Sequence, residues 1–208
     1  LAHGSAKIGA VPDSIQAAPT GRAKCRGCGK PIAKGELRFG ESGPNSYGEG
    51  EATTWFHLAC GALMRPEKLG PVLESQSEEL PERSFLEECV RVGSEHPRLA
   101  RLVRAERASS GRAHCRSCRE LIAKGDWRFA LQTFEEGRPN PIGTIHAECA
   151  EAYLGTADVL SRVRRLTPEL SEEDAEALSR TLTQQRPGLA KTQGSEEDEE
   201  NQHGSGSA

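Results

Sequence analysis

Two thiols three positions apart, Cys25 and Cys28, are followed after a gap of 28 residues by His57 and Cys60; the pattern recurs as Cys115, Cys118, His146 and Cys149 with a gap of 27. The surroundings repeat as well. GRAKCRGCGKPIAKGELRF, from Gly21, and GRAHCRSCRELIAKGDWRF, from Gly111, agree at twelve of nineteen positions, which reads as a tandem duplication of one small unit. Only 35% of the 208 residues are hydrophobic and 4% aromatic, with a mean hydropathy of -0.61. Units this poor in apolar side chains need a staple, either disulfides or a structural metal.

Three thiolates and one imidazole form a saturated tetrahedral set for zinc. A Cys-x-x-Cys knuckle lets two thiolates converge from a tight turn, and a His and a Cys three apart share one face of a helical turn. With four protein ligands no position is left for water, so the expectation is a structural zinc in each unit, two ions per chain. Its binding energy would become folding energy, on the order of 10–16 kcal/mol in zinc-finger peptides. Disulfides, the alternative staple, conflict with a reducing compartment and leave each histidine without a task; an iron–sulfur cluster with one His is unusual outside paired-His centres. No apolar run approaches the roughly 18 residues of a membrane span and no secretory leader is evident, so the chain reads as soluble and intracellular.

The formal net charge of -4 conceals segregation. Residues 21–69 carry eight basic side chains against five acidic, and residues 98–165 thirteen against eight. Residues 70–97 carry two against seven, and residues 166–208 three against ten. Basic cysteine units therefore alternate with acidic segments, and the whole-chain balance is a poor guide to partners.

The sequence divides into a flexible lead (1–14), a first unit (15–69), an acidic helical connector (70–97), a second unit with a closing helix (98–185) and an acidic, disordered tail (186–208). In the connector, PERSFLEECVRVG predicts a helix beginning near Pro81 and stopping at Gly93, with Cys89 a buried residue rather than a ligand. LSEEDAEALSRTL predicts a helix capped by Ser171. Phe39, Phe129, Ile32, Ile122, Trp55 and Trp127 are read as packing; His114, next to Cys115, is read as surface.

The ligand pattern, the Gly-Arg-Ala before each knuckle and the Arg ten residues after its second Cys resemble the zinc fingers of poly(ADP-ribose) polymerase, which also occur in a eukaryotic DNA ligase. The resemblance implies two tandem PARP-type Cys3His fingers, small α+β zinc-stabilised domains of short antiparallel strands and helices. It also implies recognition of DNA breaks, nicks or gaps by structure rather than sequence, in DNA repair or damage sensing. The matching arginines are Arg22 and Arg38 in the first unit and Arg112 and Arg128 in the second, with Lys34 and Lys124 as further phosphate contacts. Such fingers stack an apolar loop on a terminal base pair. Here the loops offer Tyr47 in the first unit, and Phe134 and Ile142 in the second.

No polymerase or ligase catalytic segment is present, and no nucleophile has a plausible base, so the expectation is a non-catalytic DNA-binding protein. Repair proteins are expected partners, and the nucleus or, in a bacterium, the nucleoid is the expected location. The main rival is a zinc-stabilised protein-interaction module without a DNA grip; a redox or metal-transfer role for the thiols is a second.

Overall fold

The structure, a computed structural model, describes residues 12–45, 48–135 and 138–183. Tyr47, the tail from 186 and nearly all of the lead lie outside the described residues.

In the first unit β1 (Ser14–Ala17), β2 (Leu37–Pro44) and β3 (Glu51–His57) form an antiparallel sheet in the order β1-β2-β3. Register places Phe39 opposite Phe56, and both rings are fully buried. The Ile-Ala-Lys-Gly turn before β2 ends on Gly35 at φ 84°, a left-handed conformation that favours glycine, and Gly125 repeats it at φ 90°. From His57 the chain turns directly into α1 (Leu58–Met64), which carries Cys60 on its buried side. α2 (Pro66–Ser75) and α3 (Arg83–Glu95) follow.

A 3-10 turn (Pro97–Arg101) leads into the second unit, where β4 (Leu102–Arg107), β5 (Trp127–Glu135) and β6 (Arg138–His146) repeat the antiparallel order. Here the register slips by a bulge between Leu131 and Gln132. A 3-10 turn (Ala147–Cys149), α4 (Ala150–Leu154), α5 (Leu160–Leu166) and α6 (Glu172–Thr183) complete it. Ser171 caps α6 as expected, its Oγ accepting from the Asp174 amide at 3.1 Å.

Two expectations about segment 70–97 need correction. It does more than connect the units, because Leu73, Leu80 and Leu86 lie in the same buried cluster as Ile32, Phe39 and Phe56. Gly93 does not stop α3. It lies within the helix, buried against Pro66, where an added Cβ would sit 2.7 Å from the proline ring. The glycine therefore lets α2 and α3 approach. Cys89 is half-buried on α3, packed against the first core and outside both four-ligand groups.

The two cores also interlock. Leu166 of α5 is buried in the first unit's cluster, and Phe134 and Val103 pack against it; Val92 of α3 packs against the second cluster. Phe134 meets Phe56 edge-on at 6.1 Å between centroids.

Candidate metal centres and nucleic-acid interface

The long gaps between ligand pairs close because each knuckle sits beneath the end of its own hairpin. The Arg26 amide donates to the Trp55 carbonyl at 2.9 Å, and the Arg116 amide to that of Thr144 at 2.9 Å. This brings Cys25, Cys28, His57 and Cys60 together, and likewise Cys115, Cys118, His146 and Cys149, with the donor atoms of each set within 4.8 Å of one another.

The geometry fits zinc. His57 Nδ1 lies 3.3 Å from Cys28 Sγ and 4.0 Å from Cys60 Sγ; His146 Nδ1 lies 3.4 Å from Cys118 Sγ and 3.8 Å from Cys149 Sγ. Zinc–sulfur and zinc–nitrogen bonds of about 2.3 and 2.0–2.1 Å give tetrahedral S···N edges of about 3.6 Å. The opposite ring nitrogens face carbonyls, His57 Nε2 at 3.3 Å from Pro31 O and His146 Nε2 at 3.2 Å from Leu121 O. A proton on Nε2 donating there leaves Nδ1 free for metal, the usual outer-layer arrangement for a ligating histidine.

One sulfur of each set is favoured as a thiolate even without a cation. Cys25 is pulled down to about 5, first by the Cys60 thiol and then, against burial, by the amides of Cys28, His57 and Gly27. Cys115 is pulled down to about 4 by the Cys149 thiol and the amides of Cys118, His146 and Ser117. Cys60 and Cys149, the proton donors of these pairs, are pushed up. Three adjoining sulfurs can all be thiolates only with a cation among them. The resulting Cys3His site has no open coordination position, so its chemistry is structural.

Of the expected phosphate contacts, Arg22, Arg112, Lys34 and Lys124 are exposed, and none has an ion-pair partner among the described residues. Arg38 and Arg128 are placed differently. Arg38 is only 7% exposed, with its guanidinium 3.4 Å above the Trp55 ring. Arg128 Nε and Nη2 both reach Glu106 Oε1, at 2.9 and 2.7 Å, while Arg104 pairs with Oε2 at 2.7 Å. Both lie in the middle strand of their sheet, where neighbouring strands supply partners before solvent does. Phe134 and Ile142, expected as base stackers, are packed against the first and second cores instead.

Other basic residues went unremarked in the sequence. Lys24 and Arg26, on either side of buried Cys25, are exposed like Arg22. Arg112, His114 and Arg116 repeat the pattern, with Arg116 bonded to the Ile142 carbonyl at 2.8 Å. Lys24 and Arg26 border a cleft of about 490 Å3 between the units, also lined by Arg65, Lys68, Phe134 and Arg138. Glu41 in its wall is held by Arg65 through two bonds of 2.6 and 2.7 Å.

Comparison with known proteins bears on these centres. Residues 16–88 match the family described as the poly(ADP-ribose) polymerase and DNA-ligase Zn-finger region. The chain thus contains one PARP-type zinc finger, running through α2 and into α3. The chain is 27% identical to poly [ADP-ribose] polymerase 1 of Gallus gallus over 94% of its length, and 24% identical to that of Oryza sativa subsp. japonica over 79%. A poly [ADP-ribose] polymerase of Sarcophaga peregrina is 28% identical over 60% of the chain. The chain spans only about a fifth of the first two relatives, 21% and 18% of their lengths. Among the described residues no helix is long and apolar enough to cross a membrane.

Proposed function

We propose that the chain is a non-catalytic DNA-binding protein that recognises strand breaks, nicks or gaps through two zinc-held units, the second a divergent PARP-type finger with its own zinc. DNA would be its main partner, with repair proteins acting downstream in the nucleus or nucleoid. The observation that carries the reading is the exposed basic series Arg22, Lys24 and Arg26 on the first metal frame, matched by Arg112, His114 and Arg116 on the second. Guanidinium groups on a fixed frame meet phosphates with little ordering cost. The inter-unit cleft is too small for a duplex, so it would admit one backbone at a discontinuity. With Phe134 and Ile142 packed inward, binding would rest on phosphate contacts and shape more than on base stacking.

Fluorescence anisotropy with intact, nicked, gapped and blunt-ended duplexes tests this. The expected result is preference for the broken duplexes and affinity falling steeply with salt. Arg22→Ala or Arg112→Ala should weaken binding about equally across sequences and reduce the salt slope by about one. Equal failure on all four duplexes at low salt, with zinc confirmed, would leave the protein-interaction reading.

A further inference from the structure

The cleft between the units collects cations from three separate elements. Lys24 and Arg26 reach it from the first knuckle, Lys68 from α2, and Arg138 from the start of β6. Among its described lining residues only Glu41 is acidic, and its carboxylate is taken up by the two bonds from Arg65. Arg65 also holds Glu67 at 3.0 Å, so its charge is met within the protein. Lys24, Arg26 and Lys68 are exposed and have no ion-pair partner among the described residues. The paired strands β2 and β3 supply one side, where Thr53 and Thr54 stand opposite Ser42 and Glu41, and Phe134 adds an apolar wall.

A cleft of about 490 Å3 falls in the range of small-molecule sites. It can admit a strand end, and charge then decides which kind. A phosphodiester within a strand carries one negative charge, whereas a phosphomonoester at a strand end carries about 1.5 to 2 near pH 7 and offers three acceptor oxygens. Three cations without partners in the protein suit the second. We propose that the inter-unit cleft is a binding site for the terminal nucleotide of a DNA strand bearing a phosphomonoester, its phosphate held by Lys24, Arg26 and Lys68. This assignment rests on the strand-break reading for its ligand and adds a chemical preference to it. A phosphorylated end differs from intact backbone in charge as well as in shape, so the cleft would tell one broken strand from another.

The test measures the affinity of the full, zinc-loaded chain for nicked duplexes carrying a 5′-phosphate, a 3′-phosphate or hydroxyls only, and for single-stranded trithymidylate with and without a terminal phosphate. A terminal phosphate should tighten binding about tenfold, the effect of one hydrogen bond to a charged group. The two phosphorylated nicks show which end the cleft takes. Lys68→Ala should remove most of this increment, Lys24→Ala should shrink it, and Lys68→Arg should keep it. Arg22→Ala, outside the cleft, should weaken phosphorylated and hydroxyl ligands equally and leave the increment intact. An increment on trithymidylate supports the cleft even where no broken duplex is preferred. Equal affinity for phosphate and hydroxyl ends in both formats overturns the proposal, while break recognition still stands if the hydroxyl nick is preferred to intact duplex. The proposal is equally overturned if neither lysine-to-alanine change reduces the increment, or if Arg22→Ala reduces it as much as they do.

Discussion

The middle strands of the two sheets hold the same arginine by different means. In the first unit Arg38 pairs in register with Gln16 of β1, which carries no charge, and its guanidinium lies on Trp55 of β3. In the second unit Thr144 takes the place opposite β5 that Trp55 takes opposite β2. Glu106 of β4 now stands across from Arg128 and binds it. The aromatic face and the carboxylate thus replace one another around a fixed arginine. Because the Arg26 and Arg116 amides tie each knuckle to its hairpin end, the strands around it can exchange one cation partner for another without changing the fold.

The ligand frames are more alike than the elements that leave them. After His57 the first unit runs one regular helix, whereas after His146 the second passes through a 3-10 turn before α4. The second hairpin is longer, bulged, and gives Phe134 to the first unit's core. The first unit supplies the receiving surface, Phe56 and Arg65, the latter 5.0 Å from the centre of the Phe134 ring.

The largest test of this asymmetry is removal of one metal at a time. Cys28→Ala and Cys118→Ala should each lose one zinc and a share of folding energy on the order of 10 kcal/mol. Because the cores interlock, the unit with intact ligands should also lose hydrogen-exchange protection where Leu166, Val92 and Phe134 cross. A partner unit that melts at an unchanged temperature would show that the units are independent.

Phe56→Ala should cost about 3–5 kcal/mol, the usual scale for a buried aromatic. Phe134→Ala, half-buried, should cost less and should chiefly loosen one unit from the other. Urea unfolding of the two variants separates these effects. A Phe134→Ala chain with wild-type stability and unchanged exchange in α1 would remove the interlock as a source of stability.

The smallest effect is expected at the paired arginines. Arg38→Ala loses a partly desolvated cation–π contact, about 0.5–2 kcal/mol. Arg128→Ala loses an ion pair with half-exposed Glu106, about 1 kcal/mol or less. Glu106→Gln also gives up its pair with Arg104, so the double-mutant cycle with Arg128→Ala isolates the shared part of the two losses, while Gln16→Glu should give Arg38 a second partner. Absence of coupling between positions 106 and 128 would mean that the exchange of partners has no energetic content.

The repeated thiols and histidines were readable because ligand spacing is local on each side of the gap, and a knuckle or His-x-x-Cys turn needs no knowledge of the rest. The Ser171 cap and the helical character of 81–95 were readable for the same reason. The burial of Arg38 and Arg128 was not, since an arginine's fate depends on what the neighbouring strand places across from it. Lys24 and Arg26 could have been found from their places on either side of Cys25, but Lys68 reaches the same cleft from a helix that no local pattern ties to it.

By itself the sequence determined two four-ligand sets and their basic surroundings, because each depends on residues close in the chain or repeated in it. Only the tertiary structure decided that residues 70–97 help build the first core and that Phe134, Val103 and Leu166 reach it from the second unit. These depend on which surfaces meet when two small cores, neither large enough to be closed alone, complete each other.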